Sequence, residues 1–419
     1  MKIPGEFFIA LRYLWGRAHE GGRYLRGAAA GIALSLVPIM VTLIVADGMI
    51  QGITDRYLEL GTGHIQVYDY LNSGRGGPPE LPEIPGLRGA WQERSGLAIV
   101  MGGAGKAGTT VWAIESSFWA DSGSRKFLKI AEGSADLEED NEVLLGEELA
   151  RIVGAETGKN VYIMSVRMGA SGRNVPRTVP FKVRGIVSSG YRELDALWCI
   201  LSYQGGNRIL DPALSRDSLV LKIDDPYREA EKTAGIIARE LGPGYGVYTW
   251  KDLQRSQYSS YESTRQLLLF IMALIVLVAA VNVSSATGML VIERRQDIAV
   301  LKAAGASPSA TSRIFLCAGF LTGLTGVILG SALGLLIGVF INQLIRGLET
   351  VLSFFSSAFH GGEVKILDSG YYLEAIPIII NWKTVALIAV FTLLCSLAAS
   401  WFPARRAGKI PPIELLRKI

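Results

Sequence analysis

Two stretches of this chain run uncharged over lengths that an ordinary soluble fold has no use for. Gln266–Ile292 is 27 residues long and Ile314–Ile345 is 32. Gly27–Ala46, with 20 uncharged residues, and Thr384–Phe402, with 19, make four such runs. About 20 apolar residues let a helix cross the roughly 30 Å of hydrocarbon in a bilayer. With 49% hydrophobic residues, the chain therefore reads as a four-span membrane protein. The run from Ile314 is too long: 32 residues reach about 48 Å at 1.5 Å each. Its last turns, around Asn342, are expected to project beyond the lipid.

Between the run from Gly27 and the run from Gln266 lies a polar segment of 214 residues, Gln51–Thr264, rich in glycine and proline. They hold 24 Lys and Arg against 28 Asp and Glu, a charge of −4, while the rest of the chain carries +8. An acidic soluble domain thus sits on a basic membrane anchor. Nucleic acid is an unsuitable partner, because no concentrated basic arm flanks the chain ends. Basic residues cluster before the first run (Lys2, Arg12, Arg17, Arg23, Arg26), between the second and third (Arg294, Arg295, Lys302, Arg313), and after the fourth (Arg405, Arg406, Lys409, Arg417, Lys418). The positive-inside rule makes these segments cytoplasmic, with both termini inside and Gln51–Thr264 and the third-to-fourth loop outside.

The expected organisation is a 1–26 cytoplasmic segment, a 27–50 first span, a 51–264 exterior domain and a 265–292 second span. A 293–313 cytoplasmic connector follows, then a 314–345 third span, a 346–381 exterior loop, a 382–402 fourth span and a 403–419 tail. In the first segment Ile3, Phe7, Phe8, Leu11, Leu14, Trp15 and Ala18 recur at helical spacing, as in an amphipathic helix at the inner interface. With this 26-residue preface ahead of a run of full spanning length, the N-terminus reads as a retained anchor and not a cleavable signal. Strands are expected at 64–68, 97–100, 109–114, 160–166, 179–187 and 218–223, and helices at 147–153 and 227–241, giving a mixed α+β exterior domain. Gly74–Pro85 reads as a loop.

Gly319, Gly323, Gly326, Gly330, Gly334 and Gly338 line one face of the third span. Small residues let membrane helices approach closely, either within one chain or between two copies. Cys317 and Cys395 fall in apolar runs and Cys199 stands alone, so no disulfide framework is expected. His19, His64 and His360 are not spaced for a metal site. Gly102–Ala107 lacks the gap and the hydroxyl residue of a phosphate-binding loop and reads as a glycine turn. Asp47 is placed at the outer interface, and Asn282, Ser284 and Ser285 are expected to bond between helices.

The connector carries the first positive signal. Glu293, Arg294, Asp297, Ile298, Leu301 and Lys302 belong to a short helix that stops at Gly305, and Ser307-Pro308 offers a cap and first-turn proline for the next. Ile298, Leu301 and Lys302 fall on one face, suited to insertion in a groove. A helix-break-helix between two spans is a surface through which a soluble partner can deliver force.

Asn282–Ser285 with Met289–Ser307, the tail Pro403–Arg417, and Val143–Ala150 in the exterior domain together resemble the FtsX/MacB-type permeases of ABC transporters. Gly63–Val67, Gly185–Asp195 and Tyr371–Pro377 with Asn381–Lys383 resemble the lipoprotein-releasing LolC/LolE branch. The resemblance covers nearly the whole chain. It implies a bacterial inner-membrane permease with a periplasmic domain, working with an ABC ATPase dimer, a second permease, lipoprotein substrates and a LolA-like chaperone. It implies no catalytic residue and no cofactor on this chain, with ATP and Mg on the partner ATPase. By the same resemblance, a hairpin carrying Arg167, Met168, Arg173, Val175, Pro176 and Arg177 would dock the chaperone, with Met168–Pro176 as its tip. An apolar lipid and substrate cavity between spans one and two of paired permeases would be walled by Val41, Ile44, Val45 and Met49, and by Leu267, Phe270, Ile271 and Leu274. Two alternatives stay open: MacB-like export driven by the exterior domain, and FtsX-like activation of a cell-wall hydrolase without transport.

Overall fold

The computed structural model describes residues 5–15, 21–70, 79–169, 172–358 and 376–409. They form two compact units, one helical, from the segments before Ile50 and after Ser260, and one built on Ile50–Ser260.

Four helices of the described residues are long and apolar enough to cross a membrane. The first span helix is Gly21–Tyr57, the second Arg255–Glu293, the third Pro308–Val339 and the fourth Trp382–Lys409. The expected edges at 50/51 and 264/265 fall inside continuous helices. Uncharged runs mark hydrocarbon, whereas backbone bonding continues through Thr54-Asp55-Arg56, where two of the side chains fold back on the helix: Thr54 Oγ1 donates to Ile50 O (2.7 Å) and Arg56 Nη1 to Gly52 O (3.0 Å). The third span helix ends at Val339, six residues before its run does. The backbone leaves the helical conformation at Phe340 (φ −93°, ψ 13°), and a second helix, Ile341–Ala358, crosses the expected 345/346 edge. Residues 346–358 are thus helical where a loop is expected, because Arg346 breaks the charge pattern without breaking the apolar spacing. The rest of that loop up to residue 375 lies outside the described residues.

The glycine face of the third span packs within the chain. A Cβ on Gly319 or Gly323 would collide with Ser400 or Ser396 of the fourth span. On Gly326, Gly330 and Gly334 it would come within 2.7–2.8 Å of Ile32, Leu36 and Met40 of the first, and on Gly338 it would strike Ile44. Close approach lets Ser396 Oγ donate to Gly319 O across the interface (3.2 Å). The N-terminal helix, Gly5–Trp15, buries Ala10, Tyr13 and Leu14 against Phe315, Ile298 and Ala404. Its Phe8 and Leu11 stay exposed, so only half of the expected apolar face is free for lipid; Ile3 and Ala18 lie outside the described residues.

The second unit is a ten-stranded mixed sheet. In chain order the strands are β1 Ile65–Asp69, β2 Leu87–Met101, β3 Lys106–Ile114, β4 Lys129–Gly133, β5 Glu142–Gly146, β6 Asn160–Met168, β7 Asn174–Ser188, β8 Trp198–Ser202, β9 Arg216–Ile223 and β10 Tyr245–Thr249. They pair in the order β10-β1-β9-β2-β3-β8-β5-β7-β4, and β6 pairs with β2 and β7. All six expected strands are present, most of them longer. β4, β5, β8 and β10, each five residues, are too short to show a period. Helix Glu147–Val153 has its expected bounds, and the expected 227–241 helix starts at Ala230.

The sequence motifs of this unit have local structural causes. Gly146 passes so close to the Asp195 carbonyl that any side chain would collide with it. The Gly185–Asp195 motif folds onto its own carboxylate: Asp195 accepts from Ser189 N (2.7 Å), Ser189 Oγ (2.6 Å) and Ser188 Oγ (2.8 Å). His64 is a packed strand-edge residue whose Nδ1 accepts from Ile223 N (2.9 Å).

Glu93, on β2, is buried, and burial pushes its carboxyl up to about 8. The folded chain therefore holds a proton there that the unfolded chain has released. With more protons bound in the native state, stability falls as pH rises from about 4.5 to about 8. Glu93→Gln is expected to flatten that fall and to be the more stable protein at pH 8, by on the order of a few kcal/mol. Thermal unfolding of the full chain across this range measures it; parallel profiles for the two proteins would refute the assignment.

Candidate functional site: the connecting helix and its anchors

The second span ends at Glu293, Arg294 breaks the helix, and Arg295–Ala303 forms the connecting helix. Gly305, at φ 95°, turns the chain, with its N–H bonded to Lys302 O (3.0 Å) and that of Ala306 to Leu301 O (3.0 Å). Ser307 Oγ then accepts from Ala310 N (3.2 Å), capping the third span helix with Pro308 in its first turn. The expected break is therefore built as its residue types dictate.

Which side of this helix is outward differs from expectation. Ile298 is fully buried and Leu301 packs against the same cluster. Lys302 Nζ donates to Gly408 O (2.8 Å). Arg294 pairs with Asp297 (3.1 Å), and its guanidinium lies 4.9 Å from the Tyr13 ring, whose hydroxyl donates to Asp297 (3.4 Å). Burial, then the Asp297 charge, pushes the Tyr13 hydroxyl up to about 12, so it stays a donor. Glu293 Oε2 is buried with no hydrogen-bond partner among the described residues. The residues expected to meet a partner are thus largely anchors. The outward side is Arg295, Gln296, Val300, Ala303 and Ala304, with Val300 69% exposed. Helical spacing alone separates Ile298 from Val300 by about 200° but cannot say which faces in.

The β6–β7 hairpin is longer-armed and shorter-tipped than expected. Met168 pairs with Asn174, Arg167 with Val175, Val166 with Pro176 and Ser165 with Arg177, so Val175, Pro176 and Arg177 lie on the ladder and the tip is only 169–173. Arg167 is turned inward, its Nη2 donating to Asn207 O (3.3 Å), and Arg177 is half-buried. Met168 N donates to Asp211 (2.8 Å); this bond and that from Ala213 hold the Asp211 carboxyl below its ordinary range. Arg173, Met168, Val175 and Pro176 are exposed. Strand alternation also places Tyr162, Val166 and Pro180 on the Met168–Pro176 face, all exposed. Those three went unread in the sequence, although the period of two would have found them.

The expected cavity residues divide by helix. Leu267, Phe270, Ile271 and Leu274 of the second span are exposed. On the first span Val41, Val45 and Met49 are half-buried, and Ile44 is buried against Gly338 and so walls nothing. Above them Asp47 Oδ1 pairs with Arg265 Nε (3.2 Å), and Arg265 Nη2 donates to Thr384 Oγ1 of the fourth span (3.2 Å). Asp47 is a link between spans.

The MacB-like periplasmic core domain family matches residues 27–236, half of the chain, and the FtsX-like permease C-terminal family matches residues 269–412. The lipoprotein-releasing system transmembrane protein LolC of Neisseria meningitidis is 27% identical, covering 98% of this chain and 99% of its own. LolC of Xylella fastidiosa is 27% identical over the full length of both chains, and LolE of Haemophilus influenzae is 23% identical over 99% of each. With its four membrane-length helices, its α+β domain between the first two and both family matches in register with them, the chain belongs to the FtsX/MacB-type permeases of ABC transporters, of the kind that includes LolC and LolE.

Proposed function

We propose that this chain couples ATP hydrolysis by a separate ABC ATPase dimer to the extraction of lipoproteins from the bacterial inner membrane and their transfer to a LolA-like periplasmic chaperone. The observation that carries the reading is the connecting helix: an apolar side chain, Val300, stands exposed on a nine-residue helix whose opposite side is locked by Ile298, Lys302 and the Tyr13–Arg294–Asp297 contacts. A helix held this rigidly passes a push to the spans on either side. The ATPase supplies ATP and Mg, and this chain supplies no catalytic group. Both termini and the connecting helix face the cytoplasm, and the sheet domain faces the periplasm. A second permease, a copy or a paralogue, completes the lipid-facing cavity with the exposed stripe Leu267–Leu274. The exposed hairpin face of Tyr162, Val166, Met168 and Pro176 suits an apolar chaperone surface better than the inward Arg167 does.

Val300→Asp is expected to leave membrane insertion and the fold intact while reducing lipoprotein-stimulated ATPase and release at least ~10-fold, the loss of a contact worth about 1.4 kcal/mol or more. The assay is the reconstituted complex in proteoliposomes, with bound ATPase quantified by co-purification. Normal release from the Val300→Asp complex would sink the coupling assignment. ATPase coupling lost without any lipoprotein release by the parent complex would point to the hydrolase-activating alternative.

A further inference from the structure

The helix Ile341–Ala358 leaves much of its apolar face uncovered. Ile341, Leu344, Ile345, Leu348, Val351 and Leu352 recur at spacings of three and four and share one face. Asn342, Arg346, Glu349 and Ser353 share the other. A helix packed on a soluble body points its apolar side at that body. Here Asn342 of the polar side is tethered, its Nδ2 donating to Ile376 O (2.9 Å) and its Oδ1 accepting from Ile376 N (3.1 Å), and Ile341 and Ile345 are half-buried. Leu344, Leu348 and Val351 are left 50%, 52% and 51% exposed.

Its place in the chain says what covers that face. Only Phe340 separates it from the third span helix. The uncharged stretch from Ile314 to Val339 spans about 39 Å, more than the roughly 30 Å of hydrocarbon, so Ile341 starts at the membrane boundary. The exposed side of the third span, through Ile328, Leu329, Leu333 and Leu336, continues through the exposed Phe340 into Leu344. That surface meets acyl chains along the span and is not interrupted where the span ends. The fourth span begins at Trp382, whose ring is exposed, and indoles favour the headgroup level.

We propose that Ile341–Ala358 lies in the lipid surface of the leaflet where the third span ends. Leu344, Leu348 and Val351 enter the acyl region by about 5–10 Å, and Asn342 and Arg346 face headgroups and protein. The helix then fixes the depth of the third span and resists its displacement along the membrane normal.

Site-directed spin labelling of the full chain tests this. In a Cys317→Ala, Cys395→Ala background, with the fully buried Cys199 kept, single cysteines replace Gln343, Leu344, Arg346, Leu348, Thr350 and Val351 in turn. The labelled protein is placed in vesicles of phosphatidylethanolamine and phosphatidylglycerol. Power saturation compares dissolved oxygen, which concentrates in lipid, with a water-soluble nickel chelate. Labels at 344, 348 and 351 are expected to favour oxygen several-fold over those at 343, 346 and 350. Equal nickel access at all six would make this a solvated helix and overturn the proposal. Exclusion of both reagents, with spin broadening that vanishes on dilution with unlabelled protein, would assign the face to a second copy instead.

Discussion

Gly330→Leu is expected to prevent the helical unit from assembling. A Cβ at that position would already lie 2.8 Å from the Leu36 side chain and 2.9 Å from the Ala33 Cα and carbonyl oxygen. Two of those three atoms are backbone, which cannot rotate aside. The first and third span helices must separate, and every contact from Gly326 to Gly338 weakens with them. Overpacking a tight core costs about 1–3 kcal/mol when side chains alone must adjust; moving a backbone places this change at or above the top of that range. Gly27→Ala is the matched control, since nothing lies within 4 Å of its Cβ position. The yield of monodisperse protein in detergent, and its melting temperature, separate the two. Wild-type behaviour of Gly330→Leu would mean that the first and third spans do not pack as described.

Lys222→Met is expected to be the most damaging single change in the sheet domain. Lys222 is completely buried, and the three N–H groups of its ammonium are shared among four acceptors: Glu59 Oε2 (2.7 Å), Asp121 Oδ2 (2.6 Å), Ser124 Oγ (2.7 Å) and the Glu59 carbonyl (2.9 Å). Burial by itself would raise the Glu59 carboxyl, but the His64 ring, its Nε2 3.5 Å away, and the Lys222 ammonium override it and hold the group down at about 2. Asp121 is held at about 2 against burial by Lys222, the Ser124 N–H and Arg88. Methionine keeps the volume and leaves two carboxylates facing each other with only Arg88 between them, 3.5 Å from one and 3.0 Å from the other. Breaking a buried pair by removing one partner costs about 3–5 kcal/mol.

The pH sign follows from the depressed carboxyls. Their contribution is complete above the ordinary carboxylate range and is lost as pH falls towards about 2. The deficit of Lys222→Met is therefore largest at neutral pH and shrinks below about pH 4.5. Fluorescence of Trp91, whose ring lies 5.3 Å from the ammonium, reports unfolding at the site itself. A deficit that stays constant from pH 7 to pH 3 would show that the cluster contributes nothing electrostatic.

What could be read from the residues and what could not divides by range. The Gly305 stop, the Ser307-Pro308 start and helix Glu147–Val153 are fixed by neighbours within a few positions and stand where the residue types put them, whereas the helices that carry the uncharged runs do not end where those runs end. The inward side of the connecting helix depends on Tyr13, 284 positions from Asp297, and Glu59 meets Lys222 across 163. No local period encodes such a meeting. The helix after Phe340 was hidden for another reason: a boundary set by charge ended at Arg346 what the spacing of Leu344, Leu348 and Val351 continues. The hairpin was legible as a hairpin, but strand ends at a polar tip are set by ladder bonds and not by composition.

The series Gly319, Gly323, Gly326, Gly330, Gly334, Gly338 contains a single three-residue step. Each four-residue step advances about 40° around the helix and a three-residue step retreats about 60°. That retreat falls between Gly323 and Gly326, where the third span hands over from the fourth span to the first. One uncut helix therefore keeps two neighbours in register by its counting alone. Adding or deleting one residue there would swing one set of glycines by about 100° and present bare backbone to lipid, while the other set kept its partner. The segment is a vernier between two rulers, so its length is itself constrained.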